Sequence, residues 1–186
     1  MRTLVEVVAR RGPGGGTVLP VLRASGQLAV RRTGPATVHL VATAFGPLGG
    51  DDAEIRLIIE DGAVLRVRSV AAAVALPASV PAPSHQRIAV TVGGTLDLHL
   101  EPTVVAAGAH HLSEVEVALG SDGALDLTEQ VLLGRAGESP GNWTGTTRVT
   151  RAGLPLLHTT VGLGPKAAAW LPPVAPRAYL STVHLG

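Results

Sequence analysis

Short runs of alternating apolar and polar residues, separated by glycine-rich turns, recur along almost the whole chain. One such run is residues 54–60, and another is residues 95–101. Successive side chains of a strand point to opposite faces, so a period of two predicts strands that are apolar on one face. The 3.6-residue period of an amphipathic helix is nearly absent, and only residues 164–171 are a candidate for a short helix. The pattern therefore predicts an all-β fold.

The expected fold is a single all-β domain over residues 1–186. We expect many short, mostly antiparallel strands, in β-helical or sandwich-like stacking, with at most one or two short helices. A chain of 186 residues is long enough to bury a substantial core without disulfide support. Alternation alone does not distinguish between the two kinds of stacking.

The clearest hairpin signal is the dipeptide Asp61-Gly62, which is typical of two-residue β-turns. It lies between two alternating runs, residues 54–60 and residues 63–68. The sequence predicts that these runs pair with each other. Their pairing would bring the arginines of the second run beside the glutamates of the first.

The chain contains no cysteine, which excludes disulfides, thiolate metal sites and cysteine nucleophiles. No arrangement of serine, histidine and aspartate typical of nucleophilic catalysis is present either, so we do not expect an enzyme. The first residues form no secretory signal, and no apolar run is long enough to cross a membrane. We therefore expect a cytoplasmic protein that does not bind membranes.

Charge and aromatic content restrict the possible partners. Fifteen basic and fourteen acidic residues leave a net charge of +1, with only two tryptophans, one tyrosine and one phenylalanine. Nucleic-acid binding usually requires a basic face with stacking aromatic side chains, so this composition argues against it. An apolar-rich, nearly neutral surface favours a protein partner or self-association into a homo-oligomer.

The strand pattern over residues 124–133 carries one charge in an unexpected place. Leu127 and Val131 share an apolar face, and Glu129 falls between them on that face. The glutamate could be an inward charge that protects an edge strand from pairing, or it could form an ion pair with Arg135. Alternatively, it could line a cavity or polar channel in which a hydrated carboxylate meets a passing cation.

A second candidate is the polar face of residues 95–101, where Asp97, His99 and Glu101 alternate with leucines. Alternate side chains of one strand lie about 6–7 Å apart and can converge on one metal ion. Polar residues opposite a leucine row are also what solvent exposure of one sheet face requires. The pattern is compatible with both interpretations.

Residues 129–138, EQVLLGRAGE, resemble the signature of the UreD (UreH) family of urease accessory proteins. Similar landmarks occur in the family's order at residues 46–51 (GPLGGD), 96–104 (LDLHLEPTV) and 151–156 (RAGLPL). This ordered series makes the resemblance specific. The glycines, acid and arginine that match the motifs are Gly46, Gly49, Gly50, Asp51, Gly134 and Arg135.

The resemblance implies a non-enzymatic scaffold that bridges apo-urease subunits and a complex of the accessory proteins UreF and UreG. It implies no tightly bound cofactor, because nickel delivered by UreG would only pass through on its way to the urease active site. Arg135 would brace its turn by pairing with a carboxylate. The alternative is a generic β-sandwich module that binds a protein without any metal. The candidate contacts for nickel in transit are Glu129, Asp97, His99, Glu101 and Glu138.

Overall fold

The structure, a computed structural model, describes residues 1–167 and 176–186. Over these residues it contains β-strands and no helix. The strands are β1 (Arg2–Arg11), β2 (Thr17–Ser25), β3 (Leu28–Gly34), β4 (Thr37–Ala42), β5 (Asp52–Ile59), β6 (Val64–Ser69), β7 (Ala73–Ala75), β8 (Ser84–Val92), β9 (Thr95–His99), β10 (Thr103–Val105), β11 (His110–Leu119), β12 (Ala124–Leu133), β13 (Asn142–Arg151), β14 (Leu154–Leu163) and β15 (Ala178–Leu185).

The strands form two sheets whose apolar faces pack against each other. The first sheet has the order β14-β13-β11-β8-β5-β1-β2. The second has the order β3-β4-β6-β9-β12-β10-β7, and β15 pairs with β12. From β5 onward the chain crosses repeatedly from one sheet to the other, so each turn of the chain lies on the turn before it.

The strands of successive turns are parallel. Among the described residues, nine strand pairings are parallel and four are antiparallel. The second sheet has four parallel neighbours in a row, β4, β6, β9 and β12, which gives a β-solenoid of about four turns. The all-β prediction and its β-helical alternative are confirmed, whereas the expectation of mostly antiparallel strands is wrong. Among the strands that the structure describes, the antiparallel pairs lie toward the two ends of the stack.

The predicted hairpin at Asp61-Gly62 is wrong for a physical reason. The turn joins β5 to β6, but these strands belong to different sheets, so the dipeptide forms a corner of the solenoid. Ile55 instead pairs with Ile88 on β8, and the alternating apolar residues are buried as effectively as in a hairpin. The period of two is the same whether a strand pairs with the next strand or with one a full turn away.

The charged residues around this corner accordingly find other partners. Glu60 accepts a 2.8 Å hydrogen bond from Arg10 on β1. Arg68 on β6 donates a 2.7 Å hydrogen bond to Asp97 on β9, one turn further along the solenoid. Among the described residues, Arg66 and Arg68 therefore pair with Asp97 and not with Glu54 or Glu60, because β5 lies across the core from β6.

The corners stack directly on one another. The backbone N–H of Thr95 donates to the carbonyl of Ala63, and that of Ala124 donates to the carbonyl of Gly94, at 2.9 and 2.8 Å. A Cβ atom at Gly94 would lie 2.1 Å from the Ala63 carbonyl oxygen. Only glycine permits this approach between turns.

The core is divided into two clusters along the solenoid. The larger one lies between the sheets and contains fully buried residues such as Leu57 and Leu96. The smaller one surrounds Trp143, which is 1% exposed and packs its ring against Tyr179 with centroids 4.9 Å apart. A Cβ on Gly145 would lie 2.1 Å from the Trp143 ring, so the missing side chain makes room for the indole.

The expected short helix over residues 164–171 lies partly outside the described residues. Residues 164–167 form a turn, closed by a 2.9 Å hydrogen bond from the Ala167 N–H to the Gly164 carbonyl. Within residues 1–167 and 176–186, no helix has the length and apolar character needed to span a membrane.

We predict that Gly94→Ala destabilises the fold by about 1–3 kcal/mol, because the new methyl group meets backbone atoms that cannot move independently. Gly14→Ala is the matched control, since a Cβ there meets nothing within 4 Å. Its free energy of unfolding should stay within about 0.5 kcal/mol of the unmodified protein. Urea denaturation of both variants measures the difference, and equal stabilities would contradict the stacked corner.

Candidate functional site

Glu129 lies where the regular stacking of the second sheet is interrupted. In the previous turn β9 ends at His99 and β10 begins at Thr103, whereas β12 continues past both strands without a break. Thr128 is paired with His99 and Val131 with Thr103, so Glu129 lies beside the gap between β9 and β10. The gap leaves room next to its side chain.

That room is a small cavity between the two core clusters, of about 30 Å³. Leu127 and Val131 flank Glu129 on β12, while Ser113 and Trp143 face it from the first sheet. Glu101, from the loop between β9 and β10, and Glu114, from β11, also line the cavity. The volume is sufficient for about one or two water molecules or a single metal ion.

A directed chain of hydrogen bonds holds the Glu129 carboxylate. The indole Nε1–H of Trp143 donates to Ser113 Oγ at 3.1 Å, and the Ser113 hydroxyl donates to Glu129 Oε1 at 2.7 Å. The second carboxylate oxygen, Oε2, accepts no hydrogen bond from the described residues. One oxygen is therefore fixed, and the other is available to a proton, a water molecule or a cation.

Burial raises the pKa of Glu129 above its ordinary value, and the hydrogen bond from Ser113 partly opposes this effect. No arginine, lysine or histidine of the described residues forms an ion pair with the carboxylate. A charged carboxylate without a cationic neighbour attracts any cation that reaches the cavity.

Two of the three sequence-based interpretations of Glu129 can now be rejected. β12 has β9 and β10 on one side and β15 on the other, so it is not an edge strand. Arg135 does not reach Glu129, because its Nε donates instead to Glu138 Oε1 at 2.8 Å. The predicted inward orientation of Glu129 is confirmed, and the cavity wall is the interpretation that the geometry supports.

The glycine-punctuated turn after β12 is held by Glu138. Its Oε2 accepts hydrogen bonds from the backbone N–H groups of Arg135 and Ala107, at 3.1 and 3.4 Å. The hydrogen bond from the Arg135 side chain, together with these backbone donors, lowers the pKa of Glu138 to about 2. The prediction that Arg135 pairs with a carboxylate is confirmed, and Gly134 provides the positive φ of 81° that starts the turn.

The GPLGGD segment is also a structural turn. Asp51 is buried, and its Oδ2 accepts hydrogen bonds from the Leu48 N–H at 2.9 Å and from Gln27 Nε2 at 2.8 Å. A Cβ on Gly49 would lie 2.6 Å from the carbonyl oxygen of Ala82 in the next turn. Gly46 and Gly50 both have positive φ angles. The three glycines and Asp51 of this motif therefore stabilise the turn.

The predicted Asp-x-His-x-Glu face is only partly assembled. Asp97 and His99 lie together on the outer face of the second sheet, away from the cavity. Glu101 lies in the loop after β9, where its N–H donates to Ser69 Oγ at 2.8 Å, and it does not join them. Sequence reasoning missed Asp126, which accepts a 2.9 Å hydrogen bond from His99 Nε2. Only the parallel register, which pairs Asp97 with Asp126, could have indicated it.

We predict that Glu129→Gln changes how stability depends on pH. The raised pKa means that Glu129 contributes stability that is fully present below its unfolded-state pKa of about 4.3 and is lost as the pH rises through the folded-state pKa. The glutamine variant cannot ionise, so its stability relative to the unmodified protein should rise through this window. Urea unfolding between about pH 4 and pH 8 measures the effect.

Glu60→Gln is the control for that experiment. The hydrogen bond from Arg10 lowers the pKa of Glu60, so its contribution is present above the unfolded-state pKa and is lost as the pH falls. The stability of this variant relative to the unmodified protein should therefore change with pH in the opposite direction. Parallel pH profiles for Glu129→Gln and the unmodified protein would contradict the burial of Glu129.

Comparison with known proteins agrees with the order of motifs along the chain. The sequence profile of the family described as UreD urease accessory protein matches residues 3–181. The UreD of Frankia alni is 37% identical over 89% of this chain and 69% of its own length. The UreD of Streptomyces coelicolor is 39% identical over 90% of this chain and 68% of its own length.

The UreD 1 protein of Saccharopolyspora erythraea is 41% identical, over 73% of this chain and 54% of its own length. The chain thus spans between about half and two thirds of the length of these relatives. UreD proteins are accessory proteins, and this agrees with the sequence-based prediction that the chain is not an enzyme. The profile match and the identities show that the chain belongs to the UreD family of urease accessory proteins.

Proposed function

We propose that the protein is a urease maturation scaffold, which bridges apo-urease subunits and a complex of UreF and UreG in the cytoplasm. Nickel reaches the urease active site through it as cargo in transit, and the protein itself holds no resident cofactor. The observation that carries this proposal is the Glu129 carboxylate, which lines a cavity between the sheets with one oxygen fixed by Ser113.

The chemistry of Glu129 suits transfer better than storage. Nickel accepts carboxylate and imidazole ligands, and a single carboxylate gives too few ligands to retain the ion. A site on a conduction path must bind well enough for the ion to enter and weakly enough for it to leave. The apolar neighbours of Glu129 raise its pKa, so a proton competes with the cation and helps to release it.

Two further polar residues extend the polar surface around this position. Glu101, from the loop between β9 and β10, and Gln86, from β8, line the same cavity, whereas the Glu114 carboxylate forms an ion pair with Arg148. We assign Glu101 and Gln86, with Glu129, to the nickel path. Glu138 lies at the turn after β12, where Arg135 already neutralises it, so its contact with nickel would be transient.

Exposed apolar side chains on adjacent loops support a protein partner. Phe45 is 93% exposed and Val80 is 73% exposed, in the loops before β5 and before β8. The two loops are neighbours, because Leu48 and Leu76 form a parallel bridge between them. Large apolar side chains in adjoining loops are typical of interaction surfaces.

We predict that Glu129→Gln lowers urease activation by about tenfold or more, because an amide does not supply the negative charge that attracts nickel. The variant should keep its fold and its partners, since glutamine fills the same volume. Urease activity in cells co-expressing the urease subunits and the other accessory proteins measures the effect. Full activation by this variant would exclude a role for Glu129 in the path.

Glu54→Gln is the matched control for activation. This carboxylate lies on the outer face of the first sheet, where Arg56 donates to it at 2.8 Å. Its replacement makes the same chemical change outside the cavity and should leave activation unchanged. A comparable loss in both variants would indicate a general effect of charge instead of a nickel path.

Co-purification tests the scaffold role separately. We expect the tagged protein to capture urease subunits or UreF from cells that co-express them, and Glu129→Gln to capture them equally well. A generic β-sandwich module that binds an unrelated protein would capture neither. That outcome would overturn the maturation role, whatever the chemistry of the cavity.

A further inference from the structure

We propose that the outer edge of β14 is a self-association surface, on which β14 of a second copy of this chain pairs antiparallel about a two-fold axis. The composition of the chain favours self-association, and this edge of the first sheet provides a defined surface for it. The pairing closes at a dimer, because it uses the same edge of both copies. The proposal does not depend on any role in urease maturation.

β14 is the last strand at one edge of the first sheet. Among the described residues it pairs with β13 on one side and with no strand on the other. Every second residue of such a strand directs its backbone N–H and carbonyl away from the sheet, and another extended strand pairs with these groups in order. Residues 157–163 pair with β13 in unbroken register, and the register shift of this pair lies outside them, beside Val149 and Thr150. The open edge is therefore regular along most of its length.

The composition of β14 allows the strand to pair with an identical copy of itself. Its sequence, LPLLHTTVGL, contains no arginine, lysine, aspartate or glutamate. Like charges directly opposite each other destabilise a strand pair, and charged residues or prolines are common protection for an edge strand. The one proline, Pro155, lies outside the regular stretch of residues 157–163. An identical strand therefore meets neither a repelling charge nor a missing N–H group along that stretch.

Three other edge strands of the described chain are protected in the usual ways. β2, at the opposite edge of the first sheet, carries Pro20 and Arg23. β3, at one edge of the second sheet, carries Arg31 and Arg32, and β7 at the other is only three residues long. A proline, a row of arginines or a short strand each prevents extended pairing with another chain. β14 has none of these features in its regular stretch.

β15 is also free of acidic and basic residues other than histidine, but it lies one strand further back. Trp143 of β13 packs its ring against Tyr179 of β15, so these two strands face each other across the core. β14 extends the first sheet by one strand beyond β13. A second copy that approaches this end of the solenoid therefore meets β14 first.

The symmetry of the pairing defines its register. A two-fold axis normal to the sheet places one residue opposite its own copy. Thr160 is the middle residue of the regular stretch, so an axis at Thr160 pairs every residue from 157 to 163 with the second copy. Leu157 then lies opposite Leu163 of the second copy, and the two Thr160 side chains lie opposite each other, which are favourable cross-strand pairs. Leu157 is only partly buried in the single chain, so the pairing also covers apolar surface.

Sedimentation velocity of the full chain over a wide range of protein concentration tests the proposal. We expect a reversible equilibrium between monomer and dimer, with no larger species. Thr160→Lys places two ammonium groups opposite each other and should raise the dissociation constant of the dimer by about tenfold or more. Thr33→Lys is the matched control and should leave the dissociation constant unchanged. Thr33 is an exposed threonine on the edge strand β3, and its hydroxyl bonds to His39 much as that of Thr160 bonds to Thr146.

Cysteine cross-linking tests the register without adding charge. The chain contains no cysteine, so a single introduced thiol can form a disulfide only with a second copy. Residues directly opposite each other in an antiparallel pair have Cα atoms about 4.5–5.5 Å apart, which is within the range of a disulfide. Thr160→Cys should therefore cross-link the dimer on mild oxidation, whereas Thr33→Cys should not.

A protein that stays monomeric at every concentration would overturn the proposal. A dimer that Thr160→Lys and Thr33→Lys weaken equally, or not at all, would also overturn it, as would equal cross-linking of the two cysteine variants. Circular dichroism melts show whether each variant keeps its fold, and the cysteine pair decides the question if a lysine variant does not. Capture of urease subunits or UreF is a separate measurement, so failure of the scaffold role and failure of the dimer are distinguishable.

Discussion

Parallel stacking of one turn of the chain on the next is the interaction on which the rest of this structure depends. Each inner strand has parallel neighbours from the turns before and after it, so its backbone groups are paired on both sides. The same register aligns apolar side chains into continuous rows, such as Ile55, Ile88 and Val115 across β5, β8 and β11. The core, the corners and both candidate sites follow from that alignment.

The cavity arises where this regularity fails. In two earlier turns the chain forms two consecutive short strands in the second sheet, β6 followed by β7 and β9 followed by β10. In the next turn β12 runs continuously past the same position. The unmatched residues of β12 include Glu129, which therefore has space beside it and lacks a paired side chain from the preceding turn. In a perfectly regular solenoid, another apolar residue would fill this place. The irregularity thus supplies the polar site inside a core that stacking otherwise keeps apolar.

The strands and the inward position of Glu129 were predictable, because the period of two is a local property of the sequence. Strand partners were not, because a parallel stack and a hairpin give the same alternation. The turns also differ in length: contacting side chains on successive turns are 27 residues apart for Ser84 and His111, 29 for Arg68 and Asp97, and 32 for Glu116 and Arg148. Such unequal spacing conceals the repeat, and with it the proximity of Asp126 to Asp97.

β12 connects the two sites through strand geometry alone. Asp126 and Glu129 are three residues apart, so they lie on opposite faces of the same strand, one toward solvent and one toward the cavity. β15 completes both environments, since His184 stands beside Asp126 and Ser181 stands beside Glu129. Its antiparallel pairing also removes β12 from the sheet edge, which keeps Glu129 enclosed. Displacement of β15 would leave the backbone of β12 unpaired beside Glu129 and would remove His184 from its place beside Asp126, so this one strand pairing affects both positions.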